Sequence, residues 1–220
     1  MADKPAMDAL QIETGPRPEV AVIWLHGLGA DGHDFEPIVP ELRLTKAVRF
    51  IFPHAPPRAV TINNGMRMRA WYDIFQFGPG PEDEAGIRAS QVLLENLIAA
   101  EKKKGIAARK IILAGFSQGG AIVLQTGLRH PERLGGIMAL STYLPLAEKL
   151  QQEKNPHNQN LPIFMAHGSY DDIIPLAKAQ ASKDLLVKAG YPVEWHTYPM
   201  PHSVCPPEIG HIAEFLLRNL

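Results

Sequence analysis

Apolar residues along this chain fall into short, β-branched runs separated by helix-length stretches of mixed polarity. The runs Val20–Leu25, Val48–Phe52, Lys110–Ala114, Gly136–Leu140, Ile163–Ala166 and Val193–Tyr198 lack an internal proline and are predicted strands. Glu84–Lys104, Gln118–His130, Leu176–Ala189 and Pro207–Leu217 are predicted helices. In the first of these, Ile87, Leu94, Leu97 and Ile98 share one stripe, which should face a sheet. Gly105, Pro131 and Gly190 follow the first three helices as stop signals. Strands alternating with helices predict an α/β fold with a mostly parallel central sheet and helices on both faces. The segment from Pro53 to Pro81 has no regular period. Rich in Pro, Gly and Arg, and holding Trp71, Tyr72, Phe75 and Phe77, it reads as a long surface excursion of the kind that usually serves function.

Length and composition narrow the picture. The 220 residues suit one larger α/β domain, and neither an internal repeat nor a linker divides them. We therefore expect a single domain over 1–220, with 1–15 a loose N-terminal segment. An apolar content of 45% is enough to fill a core, which excludes disorder as the main state. Basic and acidic residues number 22 and 23, so the net charge of −1 offers no field for nucleic acid or an anionic membrane. The longest apolar run is far short of the ~20 residues that span a bilayer, which argues against stable membrane insertion. The single cysteine, Cys205, forms no internal disulfide, and the amino terminus lacks a signal-peptide core. These features predict a soluble, cytoplasmic protein acting on a neutral or small-molecule partner.

The chemistry begins where the third predicted strand meets a helix. Gly115-Phe116-Ser117-Gln118-Gly119-Gly120 has the strand, sharp turn and helix of a nucleophile elbow. Glycines two residues before and after Ser117 let the chain turn without collision and push the hydroxyl outward. The helix start at Gln118 aims a free N–H at an oxygen on the attacked carbon. The competing reading is a glycine-rich turn in an ordinary strand–helix unit.

Serine needs a base, and on such folds the partners follow in the order Ser, acid, His. Of the histidines after Ser117, His130, His157, His196 and His211 lie at a helix end, in a polar stretch, inside a strand and inside a helix. Only His167 and His202 sit at carboxyl ends of strands, where catalytic groups of open α/β sheets gather. His167 precedes the acidic candidates, so His202 takes the role of base. The acid is Asp171 or Asp172, adjacent in the loop after Ile163–Ala166, and spacing alone does not choose between them. His26-Gly27-Leu28-Gly29-Ala30-Asp31-Gly32 after the first strand offers a second oxyanion donor at the Leu28 N–H. A phosphate-cradling loop is the rival. It is disfavoured because no acidic residue ends the next strand, prolines interrupt the following helix, and no Walker lysine is present. The nine histidines are scattered without metal-ligand spacing, so no metal and no cofactor are expected.

Together, His26–Gly29, Phe52–Pro56, Met68–Asp73, Gly115–Gly120, His167–Asp171 and His202-Ser203 resemble the carboxylesterase and acyl-protein thioesterase family of α/β-hydrolases, its bacterial esterases above all. The resemblance runs from about Gly15 to the carboxyl terminus. It implies Asp171 as the acid, four residues after the histidine of His-Gly, and backbone donors at Leu28 and Gln118. Ile174 stands where valine is usual, and Asp172 adds a charge beside the acid. The implied activity is hydrolysis of short- to medium-chain carboxylic esters through a Ser117-His202-Asp171 triad. Two alternatives are an acyl-protein thioesterase or lysophospholipase acting on long acyl chains, and a non-catalytic hydrolase-fold binding protein. The substrate is then a small-molecule ester or thioester, with Leu28, Trp71, Phe75 and Phe77 as candidate lining of the acyl pocket. The resemblance also allows a homodimer.

Overall fold

Each predicted strand run forms a strand, because its alternate side chains feed two cores, one on each face of the sheet. The computed structural model describes residues 7–76, 78 and 80–220. Its strands are β1 (Ala9–Glu13), β2 (Val20–Leu25), β3 (Val48–Pro53), β4 (Pro57–Val60), β5 (Met66–Arg69), β6 (Ile111–Phe116), β7 (Gly136–Leu140), β8 (Ile163–Gly168) and β9 (Val193–Tyr198). The helices are α1 (Ile38–Glu41), α2 (Glu84–Lys103), α3 (Gln118–Gly127), α4 (Leu150–Glu153), α5 (Leu176–Lys188) and α6 (Pro206–Asn219). The main sheet has seven strands in the order β1-β3-β2-β6-β7-β8-β9, with β1 antiparallel to β3 and all other neighbours parallel.

On one face Ala21, Ile23, Leu25, Ile111, Leu113, Ile137 and Met165 pack with Ile87, Leu94 and Ile98 of α2, Ala121–Leu124 of α3 and Leu186 of α5. On the other, Val20, Val22, Trp24, Phe50, Ile112, Met138 and Phe164 pack with Ile38 and Val39 of α1 and Ile212, Phe215 and Leu216 of α6. Strands covered on both faces read as continuous apolar runs rather than alternating ones. Each fully buried aliphatic side chain contributes about 1.5–3 kcal/mol.

Two expectations are corrected. Residues 9–13 belong to the edge strand β1, not to a loose segment; Leu10 and Ile12 pack on one core and only the small Ala9 on the other, which leaves too few large apolar positions for a strand signal. Part of the excursion is the two-stranded antiparallel hairpin β4–β5. Each of its strands is only four residues long and mostly exposed or half-buried, too short for the alternation of Arg with Met and Ala to stand out as a strand signal. The α3 helix also stops at Gly127, three residues before the predicted end, as Arg129 and His130 N–H groups both turn back to the Thr126 carbonyl.

The strand order reverses direction of growth between β2 and β6: the chain moves outward to β3, then crosses back to β6 and continues to β9. Ligands of open parallel sheets bind outside the carboxyl ends at such a point. Here those ends carry His26-Gly27-Leu28 and Phe116-Ser117.

Candidate active site

Ser117 sits in the left-handed region, with φ 54° and ψ −119°, a conformation a non-glycine residue holds only when its surroundings enforce it. The enforcement is visible. Its N–H donates to the Leu140 carbonyl at 2.9 Å, and its own carbonyl accepts from Thr142 Oγ1 at 2.6 Å and from the Ala121 N–H at 3.1 Å. A Cβ on Gly115 would lie 2.4 Å from the Gly119 backbone, and one on Gly119 would lie 2.4 Å from the Leu25 carbonyl oxygen. Strand, elbow and the β2 end therefore touch through backbone alone.

His202 follows β9 in a loop whose backbone folds over the end of β8: the Ser169 and Tyr170 N–H groups donate to the carbonyls of Tyr198 and Met200. The imidazole lies against the ring of Phe116, the residue before Ser117, with centroids 4.8 Å apart. Its Nδ1 is 2.7 Å from Asp171 Oδ2. Asp171 is buried, and its other oxygen accepts the N–H groups of Ile173 at 3.0 Å and Ile174 at 2.8 Å. Asp172 is exposed and makes none of these contacts. The structure thus brings together Asp171 and His202 beside the elbow, and leaves Asp172 outside.

The Leu28 and Gln118 N–H groups, the two anticipated oxyanion donors, find no protein acceptor among the described residues. The loop carrying Leu28 is fixed at several points. Burial lowers the His26 imidazole to about 4, so the ring is neutral; Nδ1 faces the Gly27 carbonyl at 2.7 Å while Nε2 accepts the Ala55 N–H at 3.0 Å. Gly29 N–H donates to the Arg69 carbonyl at 2.9 Å.

Trp71 departs from its expected place. At 1% exposure it does not line an acyl pocket; its indole N–H donates to the His26 carbonyl at 2.9 Å and its carbonyl accepts from Ser90 Oγ. The Gln118 side chain completes this brace, accepting the Trp71 N–H at 2.7 Å and donating to the Tyr72 carbonyl at 2.7 Å. The excursion is thereby stapled to the elbow by the residue after the serine. Of the other pocket candidates, Leu28 is half-buried, Phe75 is 41% exposed, and Phe77 lies outside the described residues.

Sequence reasoning missed Thr142, the Gln118 side chain, the bracing role of Trp71, and His167 as a partner of Asp171. The first three act across long sequence separations and leave no local pattern. His167 did carry a signal, its position at a strand's carboxyl end. Among the described residues no cluster of three or more His, Cys, Asp or Glu is placed to hold a metal ion, and no helix is long and apolar enough to cross a membrane.

Comparison with known proteins agrees with this geometry. A family model described as phospholipase/carboxylesterase matches residues 7–220. Acyl-protein thioesterase 1 of Neurospora crassa is 40% identical over 232 residues, covering 100% of this chain and 95% of that protein. The Gibberella zeae protein of the same name is 41% identical, covering 90% of each chain. Among solved structures, Arabidopsis thaliana SOBER1 superposes with a TM-score of 0.86 at 30% identity, over 91% of this chain and 98% of that one. Zea mays acyl-protein thioesterase 2 does so with a TM-score of 0.84 at 26% identity, over 96% and 98%. The chain belongs to the phospholipase/carboxylesterase family, hydrolases of ester and thioester bonds on the α/β-hydrolase fold.

Proposed function

We propose that this protein transfers an acyl group to water through an acyl-Ser117 intermediate, and that its preferred substrates are acyl thioesters. The observation that carries the first part is the 2.7 Å contact of His202 Nδ1 with buried Asp171, made beside a serine held at positive φ. In this reading Ser117 Oγ attacks the carbonyl carbon while His202 Nε2 takes its proton. Asp171 holds the imidazole in the Nδ1–H tautomer and stabilises the imidazolium. The oxyanion meets the Leu28 and Gln118 N–H groups, already fixed in place before charge develops. Collapse expels the thiol or alcohol, which receives the proton from His202. Water then attacks the acyl-enzyme with His202 again as base, releasing the acid and restoring Ser117.

Two observations favour thioesters with long acyl chains over the short- to medium-chain esters expected from the sequence. Relatives 36–41% identical over at least nine-tenths of this chain are named acyl-protein thioesterase 1. In addition, Phe75, Tyr170 and Ile173, at 41%, 70% and 46% exposure, present apolar surface on the excursion and beside the acid. Leu28 and Phe75 are the residues we assign to the acyl chain.

The test is a panel of p-nitrophenyl esters of increasing acyl length, run beside an acyl thioester. Preference for the long chain and the thioester is expected, and a short-chain ester optimum restores the carboxylesterase reading. Ser117→Ala should lower turnover by about 10⁶-fold without changing the circular dichroism. Turnover surviving that substitution, or failure of a fluorophosphonate to label the native protein, removes the serine mechanism and leaves a binding protein.

A further inference from the structure

His167 is fully buried at the end of β8, four residues before the acid, and the mechanism above gives it no task. Its Nε2 lies 2.8 Å from the Ile174 carbonyl oxygen and 3.2 Å from Asp171 Oδ2. A carbonyl only accepts, so Nε2 carries the hydrogen and donates it to the Ile174 carbonyl, with Asp171 Oδ2 in close contact beside the ring. The other nitrogen, Nδ1, is buried without a hydrogen-bond partner. Around the ring stand Asp171, His202 and the indole of Trp195, whose ring is stacked at 17° with centroids 6.5 Å apart. Burial lowers the basicity of this imidazole, and a neutral ring suits a site where a proton on Nδ1 would have no acceptor.

We infer that His167 is a positioning residue for the triad acid, a neutral donor that ties down Ile174 and packs against Asp171 Oδ2, so that the carboxylate stands where His202 must find it. The inference rests on the triad assigned above. With it, each side of the carboxylate meets the scaffold: Oδ1 accepts the N–H groups of Ile173 and Ile174, and Oδ2 lies 3.2 Å from the His167 ring nitrogen. The Nε2 hydrogen ties Ile174 to β8 and closes the loop that carries the acid. Without it Ile174 loses its tie to β8, the Oδ1 anchor it carries loosens, and the carboxylate can pivot away from His202. A cation in that place would serve worse, since it would neutralise the charge that the His202 imidazolium requires during attack.

The distinguishing comparison is His167→Gln, which retains an N–H donor of similar reach, against His167→Met, an unbranched side chain without one. His167→Phe replaces the latter if the Met chain does not fold. For the donor-free variant kcat should fall about 10- to 100-fold with KM unchanged, less than the ~10⁴-fold that follows loss of the acid's own bond to histidine. The acid limb of kcat/KM against pH, which reports protonation of the base, should move to lower pH as the base loses its fixed counter-charge. The low-field proton NMR signal of the His202–Asp171 hydrogen should broaden or vanish. The Gln variant should restore the NMR signal and most of the turnover. A donor-free variant with kcat within twofold of the native, an acid limb that stays or rises, or a Gln variant as impaired as the Met variant overturns the inference. Ser117→Ala separates the two levels: full activity there defeats the triad itself, whereas an inactive Ser117→Ala beside a normal His167→Met defeats only the role of His167.

Discussion

Asp171 and Asp172 differ by one position in the chain and by everything in their surroundings. One is buried, accepts from two backbone amides and the His202 imidazole, and lies against the His167 ring; the other faces water. Asp171→Asn should therefore lower kcat by about 10⁴-fold, because an amide cannot hold the required tautomer of His202, while Asp172→Asn stays within about twofold. Steady-state kinetics on the two variants decide it. The choice was open to spacing because local sequence does not encode which carboxylate the turn tucks inward. That depends on Ile173 and Ile174 folding back over β8 and on the loop after β9 closing above it. Ser117, His202 and the Leu28 and Gln118 amides could be named as candidates from the sequence because each belongs to a strand end marked by glycine or proline. Trp71 was misread for the opposite reason: an aromatic in an aperiodic stretch suggests a pocket, and only the distant carbonyl of His26 explains its burial.

Among the elements, legibility followed how completely each was covered. Strands β2, β3 and β6–β8 announce themselves as apolar runs and β9 by its β-branched and aromatic residues, whereas β1 and the β4–β5 hairpin, with little or no buried face, do not. The elbow shows how closely two elements approach. An added methyl at Gly119 meets the Leu25 carbonyl oxygen, so Gly119→Ala must part α3 from β2 and with them the two proposed oxyanion donors. We expect a stability loss of about 1–3 kcal/mol by urea denaturation, and a fall in kcat larger than any change in KM. Gly210, on α6, has nothing within 4 Å of the same added atom. Gly210→Ala should instead stabilise by about 0.5–1 kcal/mol and leave kcat untouched.

At the scale of the molecule, one buried carboxyl couples the fold to pH. Glu208, in the first turn of α6, is fully buried with neither carboxyl oxygen hydrogen-bonded to a side chain, and burial pushes it from 4.5 up to about 8. The native state then holds a proton that the unfolded chain has already released, so stability is full below about 4.5 and falls as pH rises towards 8. The limiting slope is roughly 1.4 kcal/mol per pH unit. Glu208→Gln should abolish that decline, and thermal unfolding midpoints of the two proteins should diverge between pH 5 and pH 8. The arrangement of strands has its own outcome during synthesis. The serine leaves the ribosome well ahead of its acid, and the base is made later still, on a stretch that joins the others only once the sheet has grown to its last strand. Under the proposed mechanism, a nascent chain halted before residue 202 carries a Ser117 hydroxyl with no base to activate it.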